Sequence, residues 1–436
     1  MNTEVRPPAR SLISRLAKVE PGEGPAVVAA FLLYFCLLGG YFAVRPVRET
    51  VGTLLGSDRV SDLFVATWIF SILIVPAYGA VCARLQRRVF LPWVYGFVAL
   101  ALVACGAAFS RNESNVLVGQ LFYVMISVIN LFVVSVLWSF LLELFDSGQV
   151  KRLFGVIAAG GTAGALAGPV MTDLLVGRIG NSGILFVGAG MFGLAIVCQR
   201  VLLHIWARRG WATTAAPVED RPMGGNPLAG FTLVLKSPYL LGIALFVTLL
   251  ASVNTFLYFE QLELVRATFA SSAERTQVFS RIDYVVQSLT ILSQLFLTGR
   301  IASRFGVGAL LTFVPLVMVG GMLLLASFHT FAVLAVVFVI RRWGEYAFVR
   351  PGREMLFSRV DNETKYKAKN FIDVTVYRGA DALGAKISNL IRDGGGSPAL
   401  MGAMFAVAWA VNGWWLGRRR EHGHDGRKTD GATPVA

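Results

Sequence analysis

Residues 39–49, "GGYFAVRPVRE", recur at 344–354 as "GEYAFVRPGRE". Without a gap, Gly39 falls on Gly344, Tyr41 on Tyr346, and the V-R-P-x-R-E run on itself. Each copy follows a long apolar segment. Arg45, Arg48 and Glu49 are spaced i, i+3, i+4, as are Arg350, Arg353 and Glu354, so on a helix each triplet projects from one face. A proline in such a place frees a backbone carbonyl, which a membrane helix tolerates where it borders a cavity. The plain alternative is a pair of helix-end anchors whose basic side chains reach the lipid headgroups. Headgroup anchoring does not require a duplicate, and the duplicate favours two basic collars on one pathway.

The rest of the chain supplies the setting. It is 55% hydrophobic and 15% charged, with a mean hydropathy of +0.63. That excludes an ordinary soluble protein and predicts an all-α integral membrane protein. About twelve spans can be placed, near 25–44, 60–82, 90–109, 116–142, 153–177, 183–205, 239–259, 280–298, 307–327, 330–349, 370–391 and 397–416. The eleventh, "FIDVTVYRGADALGAKISNLI", is polar. Spans one and ten run in opposite directions, which puts the two collars at opposite mouths.

The net charge of +14 is a matter of topology. Most Lys and Arg outside the two motifs and the interior of spans ten and eleven fall on the side of the N-terminus. This places both termini in the cytoplasm, the chain in the cell (inner) membrane as a multi-pass protein, and nucleic acid outside its partners. The expected order is a cytoplasmic segment 1–24, a six-helix bundle 25–206, a cytoplasmic linker 207–238, a second six-helix bundle 239–417 and a basic tail 418–436. No cleavable signal is apparent, and "RSLISRLAKVEPGEG" (10–24) reads as a short interfacial helix.

The stretches 91–109, 183–198, 308–328 and 399–415 of spans three, six, nine and twelve contain no charged side chain, whereas charge gathers in or at the ends of the others. Lipid contact excludes charge, so every third helix is an outer one. That period, two six-helix halves and nested inverted repeats define a major facilitator-like fold. The loops 79–88 and 299–306 agree weakly with its loop motif (Gly79/Arg84, Gly299/Arg304), although Ala83 and Ser303 stand where an acid is usual.

Within the spans lie Arg341 and Arg342, then Asp373, Tyr377 and Asp381 at i, i+4, i+8 with Arg378 beside them. Glu143 and Glu260 close the fourth and seventh spans. The excess of guanidinium over carboxylate suits an anionic small molecule, since Arg grips phosphate or carboxylate oxygens bidentately and keeps its charge. The competing reading is a set of interhelical ion pairs, best suited to Lys386 and Glu263. "GVIAAGGTAGALAGP" (155–169) is a small-residue packing face through Gly160, Gly164 and Gly168, with no strand before it and no GK[ST] after it. Cys36, Cys82, Cys105 and Cys198 read as small core residues, and His422 and His424 as part of a solvated tail. No catalytic constellation, metal set or cofactor motif is found.

"GYFAVRPVRET", "LWSFLLELFDSGQVKRLFGVIAAGGTAGALAGP" and "KYKAKNFIDVTVYRGADALG" together resemble the ATP/ADP translocase, or NTP/NDP exchange transporter, family. The resemblance covers most of the twelve spans and implies nucleotide exchange, with ATP and ADP as the exchanged pair. Its functional positions fall on Arg45, Arg48 (where the family tends to Lys), Glu49, Glu143, Glu260, Ile372, Asp373 and Arg378. The sequence departs at Asp381, where the resemblance implies Lys. An anion there points to another anionic substrate or to proton coupling, with Asp373 and Asp381 as the titrating groups. Two alternatives therefore stand beside exchange: a proton-coupled carrier of another anion or a lipid, and a membrane scaffold that transports nothing.

Overall fold

The computed structural model describes residues 19–20, 22–84, 87–208, 229–357, 368–369 and 371–429. Most of the interfacial helix expected over 10–24, most of the 207–238 connection, and the side chains of Cys82, Arg84, His422 and His424 lie outside the described residues.

The described chain is helical nearly throughout, and each expected span has its helix. These are α1 (Gly24–Leu55), α2 (Ser57–Arg84), α3 (Arg87–Arg111) and α4 (Val116–Leu144). A continuous helix Ser147–Arg208 follows, divided at Gly180 into α5 (147–179) and α6 (181–208). A short helix Ala229–Lys236 precedes α7 (Pro238–Thr268), α8 (Ser272–Phe296) and α9 (Thr298–Ser327). The next helix, α10, runs through Phe331–Gly344, a π-helical turn Glu345–Val349 and Arg350–Leu356. The eleventh, α11, opens with a π-helical turn Phe371–Val376 and continues as Tyr377–Asp393, and α12 is Pro398–Thr429.

The boundaries follow local chemistry. Ser237 caps α7 by accepting from the Leu240 N–H, with Pro238 in the first turn. A reciprocal Ser271/Glu274 capping box starts α8 well before its apolar stretch. Gly180 (φ 68, ψ 179) and Gly306 (φ 73, ψ 176) hold a conformation open only to glycine, so single residues make the α5–α6 and pre-α9 turns. The stretch expected as the 299–306 loop is therefore helical up to Gly306. Two expected ends move. The apolar run of span one stops at Val44, yet α1 continues to Leu55 with Pro46 inside it. Span seven continues past "FEQLE" to Thr268. Charged residues lower hydropathy without breaking a helix when partners face them.

Seven described helices are long and apolar enough to cross a membrane, and the 61-residue one contains two spans. Of the expected spans outside that set, eight and eleven are polar, ten is divided by its π-helical turn after only 14 α-helical residues, and the side chains of span two beyond residue 74 lie outside the described residues. The apolar stretches of the outer helices (91–109, 183–198, 308–328 and 399–415) carry no charge, and these helices expose large apolar side chains. Trp93, Phe97 and Leu100 do so on α3, Leu194 and Val197 on α6, Phe313 and Leu316 on α9, and Met404 and Val411 on α12. That is the surface hydrocarbon requires.

Contacts gather the chain into two compact units: 1–47, 80–113 and 129–223, and 48–79, 114–128 and 224–436. In the first, α3 packs along the α5–α6 helix. A Cβ at Gly160, Gly164 or Gly168 would run into the carbonyl oxygens of Phe31, Phe35 or Gly39, so α5 lies backbone to backbone on α1. The small-residue face is thus a packing surface. Gly164→Val is expected to cost about 1–3 kcal/mol by overpacking and to lower the melting temperature in detergent. A wild-type melting curve would contradict this packing. In the second unit, α9 and α7 pack on α12 and α11 packs on α7 around Phe246, Phe256, Met318, Met322 and Trp409.

Candidate functional site

Arg45 and Glu143 belong to the first unit. Arg45 is half-buried over the Phe42 ring at 5.9 Å, and Glu143 is half-buried in the last turn of α4. Thr172 of α5 donates to the Ala43 carbonyl at 2.8 Å, beside the carbonyl that Pro46 leaves without its helical donor.

The other candidates lie in the second unit. Glu49 is buried and takes Arg48 Nη2 at 2.6 Å on one oxygen and the Tyr258 hydroxyl at 2.8 Å on the other. Tyr258 also bonds Tyr123 (2.7 Å), and Arg48 reaches Ser127 Oγ (3.1 Å) with its guanidinium 4.9 Å from the Tyr123 ring. Further out, Thr50 bonds Thr276, and Arg275 donates to Thr53 Oγ1 and the Phe269 carbonyl. Ser57 and Arg392 meet on Glu263, while Lys386 binds Asp62 and Asn389 binds Asp58. Residues 48–62 and 123–127 are in this way sewn to α7, α8 and α11 by layers of polar contacts. Lys386 and Glu263 do sit in interhelical pairs, with Asp62 and Arg392.

Deeper in the same unit, nearly every charge has an opposite neighbour. Arg342 pairs with Asp283 of α8, both buried, and Arg341 with Glu345 at 3.0 Å. Arg353 lies 3.3 Å from Asp373, and Lys369 binds Glu354 at 2.6 Å. The Asp381 carboxylate is buried, accepts from Thr255 Oγ1 at 3.0 Å and stands 3.8 Å from Arg378. Arg378 also reaches the Ser127 carbonyl at 3.5 Å. Glu260 is buried and bonds the exposed His329 at 2.6 Å. Arg350 differs. It is exposed, its guanidinium sits 5.1 Å over the Tyr346 ring, and no carboxylate among the described residues bonds it. Its electrostatic neighbours are Glu345, Tyr346, Tyr377 and Asp373.

The structure thus unites Arg48 with Glu49, Arg353 with Asp373 and Arg378 with Asp381. It splits the second triplet, because Arg353 and Glu354 turn to α11 and its approach while Arg350 stays open. Sequence reasoning missed Asp283, Glu345, His329 and the hydroxyl partners Tyr123, Ser127, Thr255 and Tyr258. Only the acids carried a signal, as charges within membrane-length helices. Among the described residues no group of three His, Cys, Asp or Glu could hold a metal ion.

Among the described residues, helices with apolar outer faces and paired interior arginines define a multi-pass membrane protein with a major facilitator-like fold. No protein-family model matches the chain. It is 22% identical to the ADP,ATP carrier protein 1 of Chlamydia trachomatis serovar D, over 95% of this chain and 91% of that protein. This bears out the resemblance carried by the motifs. The fold is that of a bacterial homologue of the iron transporter ferroportin in its inward-facing state (TM-score 0.65, 12% identity, 90% of this chain and 98% of that one). It is also that of the nucleoside transporter NupG (TM-score 0.61, 16% identity, 91% and 98%).

Proposed function

We propose that this protein is an alternating-access exchanger of nucleotides or closely related phosphorylated anions, with ADP and ATP as the first pair to test. Arg350 carries the reading. It is an accessible guanidinium that no carboxylate among the described residues bonds, with a tyrosine face beneath it, and so is open to a substrate oxygen. Guanidinium over an aromatic ring suits a phosphate beside a flat base. The ADP,ATP carrier likeness supports the substrate class. Two six-helix halves rock about the site, and the Arg48–Glu49–Tyr258–Tyr123 cluster belongs to one closing seal. The distribution of Lys and Arg supports a cytoplasmic position for both termini in an inner membrane.

Proteoliposomes loaded with ADP and offered labelled ATP test this directly. Uptake is expected only with internal nucleotide, and uptake indifferent to it would remove the exchange reading. A second reading, proton coupling, is favoured by Asp381, buried with a loosely placed counter-ion and facing Thr255, Tyr377, Arg378, Arg341 and Glu345. It predicts uptake driven by an imposed pH gradient and abolished in Asp381→Asn.

A further inference from the structure

Proline 351 has no N–H, so it can serve neither of the two α10 carbonyls that a residue at this position would reach. In an α-helix the orphan lies four residues back, at Ala347; in a π-helix it lies five back, at Tyr346. The helix around them changes register between these forms: Glu345–Val349 is π-helical, with the Arg350 N–H bonded to the Glu345 carbonyl. Both carbonyls are met by side chains of one neighbouring segment. Thr298 Oγ1 donates to the Ala347 carbonyl at 2.9 Å, and Gln294 Nε2 donates to the Tyr346 carbonyl at 3.1 Å. Ser293, adjoining Gln294, accepts from Trp343 Nε1 at 2.8 Å. Thr298 is buried.

A π-turn adds one residue to a helical turn, and one residue is about 100° of rotation. The turn ends at Val349, so its presence sets the direction in which Arg350 points. We propose that Gln294 and Thr298 are positioning residues for Arg350: by bonding the two carbonyls that Pro351 cannot serve in either register, they hold the π-turn and thereby aim the guanidinium. The first copy of the motif is built otherwise. There α1 is α-helical throughout Gly24–Leu55, and Thr172 bonds the Ala43 carbonyl, which keeps a helical donor in the Val47 N–H. The inverted duplicates therefore differ in one register. This inference rests on Arg350 as the anion anchor of the proposed exchanger.

The test combines Gln294→Leu, Thr298→Val and Thr298→Ser, singly and on an Arg350→Ala background. Amide hydrogen exchange over 346–354 and ADP-induced thermal shift are the readouts. The valine and leucine variants are expected to exchange faster across that segment and to bind ADP about five- to tenfold more weakly, the scale of one lost hydrogen bond. Thr298→Ser, which keeps the hydroxyl, is expected to match wild type. On the Arg350→Ala background the affinity loss is expected to vanish, because residues acting through one side chain are not additive. Full additivity, or unchanged hydrogen exchange in both variants, would overturn the proposal. A wild-type protein that binds no ADP would refute the nucleotide reading instead. The hydrogen-exchange arm then decides the positioning claim alone.

Discussion

Asp283→Ala is expected to be the most destabilising single substitution in the second unit, by about 3–5 kcal/mol, because it strands the Arg342 guanidinium in the interior. Arg342 and Asp283 are each under 5% exposed, so water cannot replace the lost carboxylate. A marginally stable protein does not absorb a loss of that size, and aggregation on detergent extraction is the practical outcome. Asp283→Leu combined with Arg342→Met removes both charges at similar volume and is expected to recover most of the stability. Size-exclusion profiles and melting curves check both. If Asp283→Ala melts like wild type, Arg342 is not a structural cation and returns to the list of substrate contacts. The experiment therefore separates the two readings that the arginine pair at 341–342 leaves open.

Arg350→Ala is expected to leave the melting temperature of the free protein nearly unchanged and to weaken ADP binding about 100-fold, equivalent to ~3 kcal/mol. The contrast with Asp283 is the point. An exposed guanidinium stacked on Tyr346 contributes little to folding, whereas a phosphate deprived of its cation loses a charge-assisted, bidentate contact. Arg350→Lys is expected to restore the charge without the fork and to recover part of the affinity. Ligand-induced thermal shift and counter-exchange uptake measure it. An Arg350→Ala protein that exchanges at the wild-type rate would move the anion site elsewhere.

Much of the fold was legible because lipid imposes a simple rule on sequence. Four uncharged apolar stretches, recurring at every third span, marked the outer helices, and their exposed Trp93, Phe97, Met404 and Val411 agree. The site was legible only in its charged half. Arg48, Glu49, Arg350, Arg353, Asp373, Arg378 and Asp381 stand out in apolar surroundings, but Tyr123, Ser127, Thr255 and Tyr258 do not. Their hydroxyls are neutral, and a helix can bury them or bond them without leaving a pattern. Asp283 carried a signal, as an acid within a membrane-length helix, yet its partner was set by tertiary packing. The end of α1 was misplaced for a related reason. Hydropathy falls at Arg45, but the backbone ladder runs on to Leu55 because Arg48 and Glu49 find partners in the folded chain. Register shifts of one residue, as in the two π-turns, leave no trace in periodicity, although Pro351 marks the site of one.

Gly180 has a mechanical consequence. With a single residue joining α5 to α6, and that residue in a conformation open only to glycine, the hairpin has no slack. A one-residue joint keeps the adjoining ends of α5 and α6 together, so a displacement of one arm at that end is expected to carry the other. A peptide tag spliced in at that joint would disconnect them, and a fluorophore on either arm would report the displacement of both.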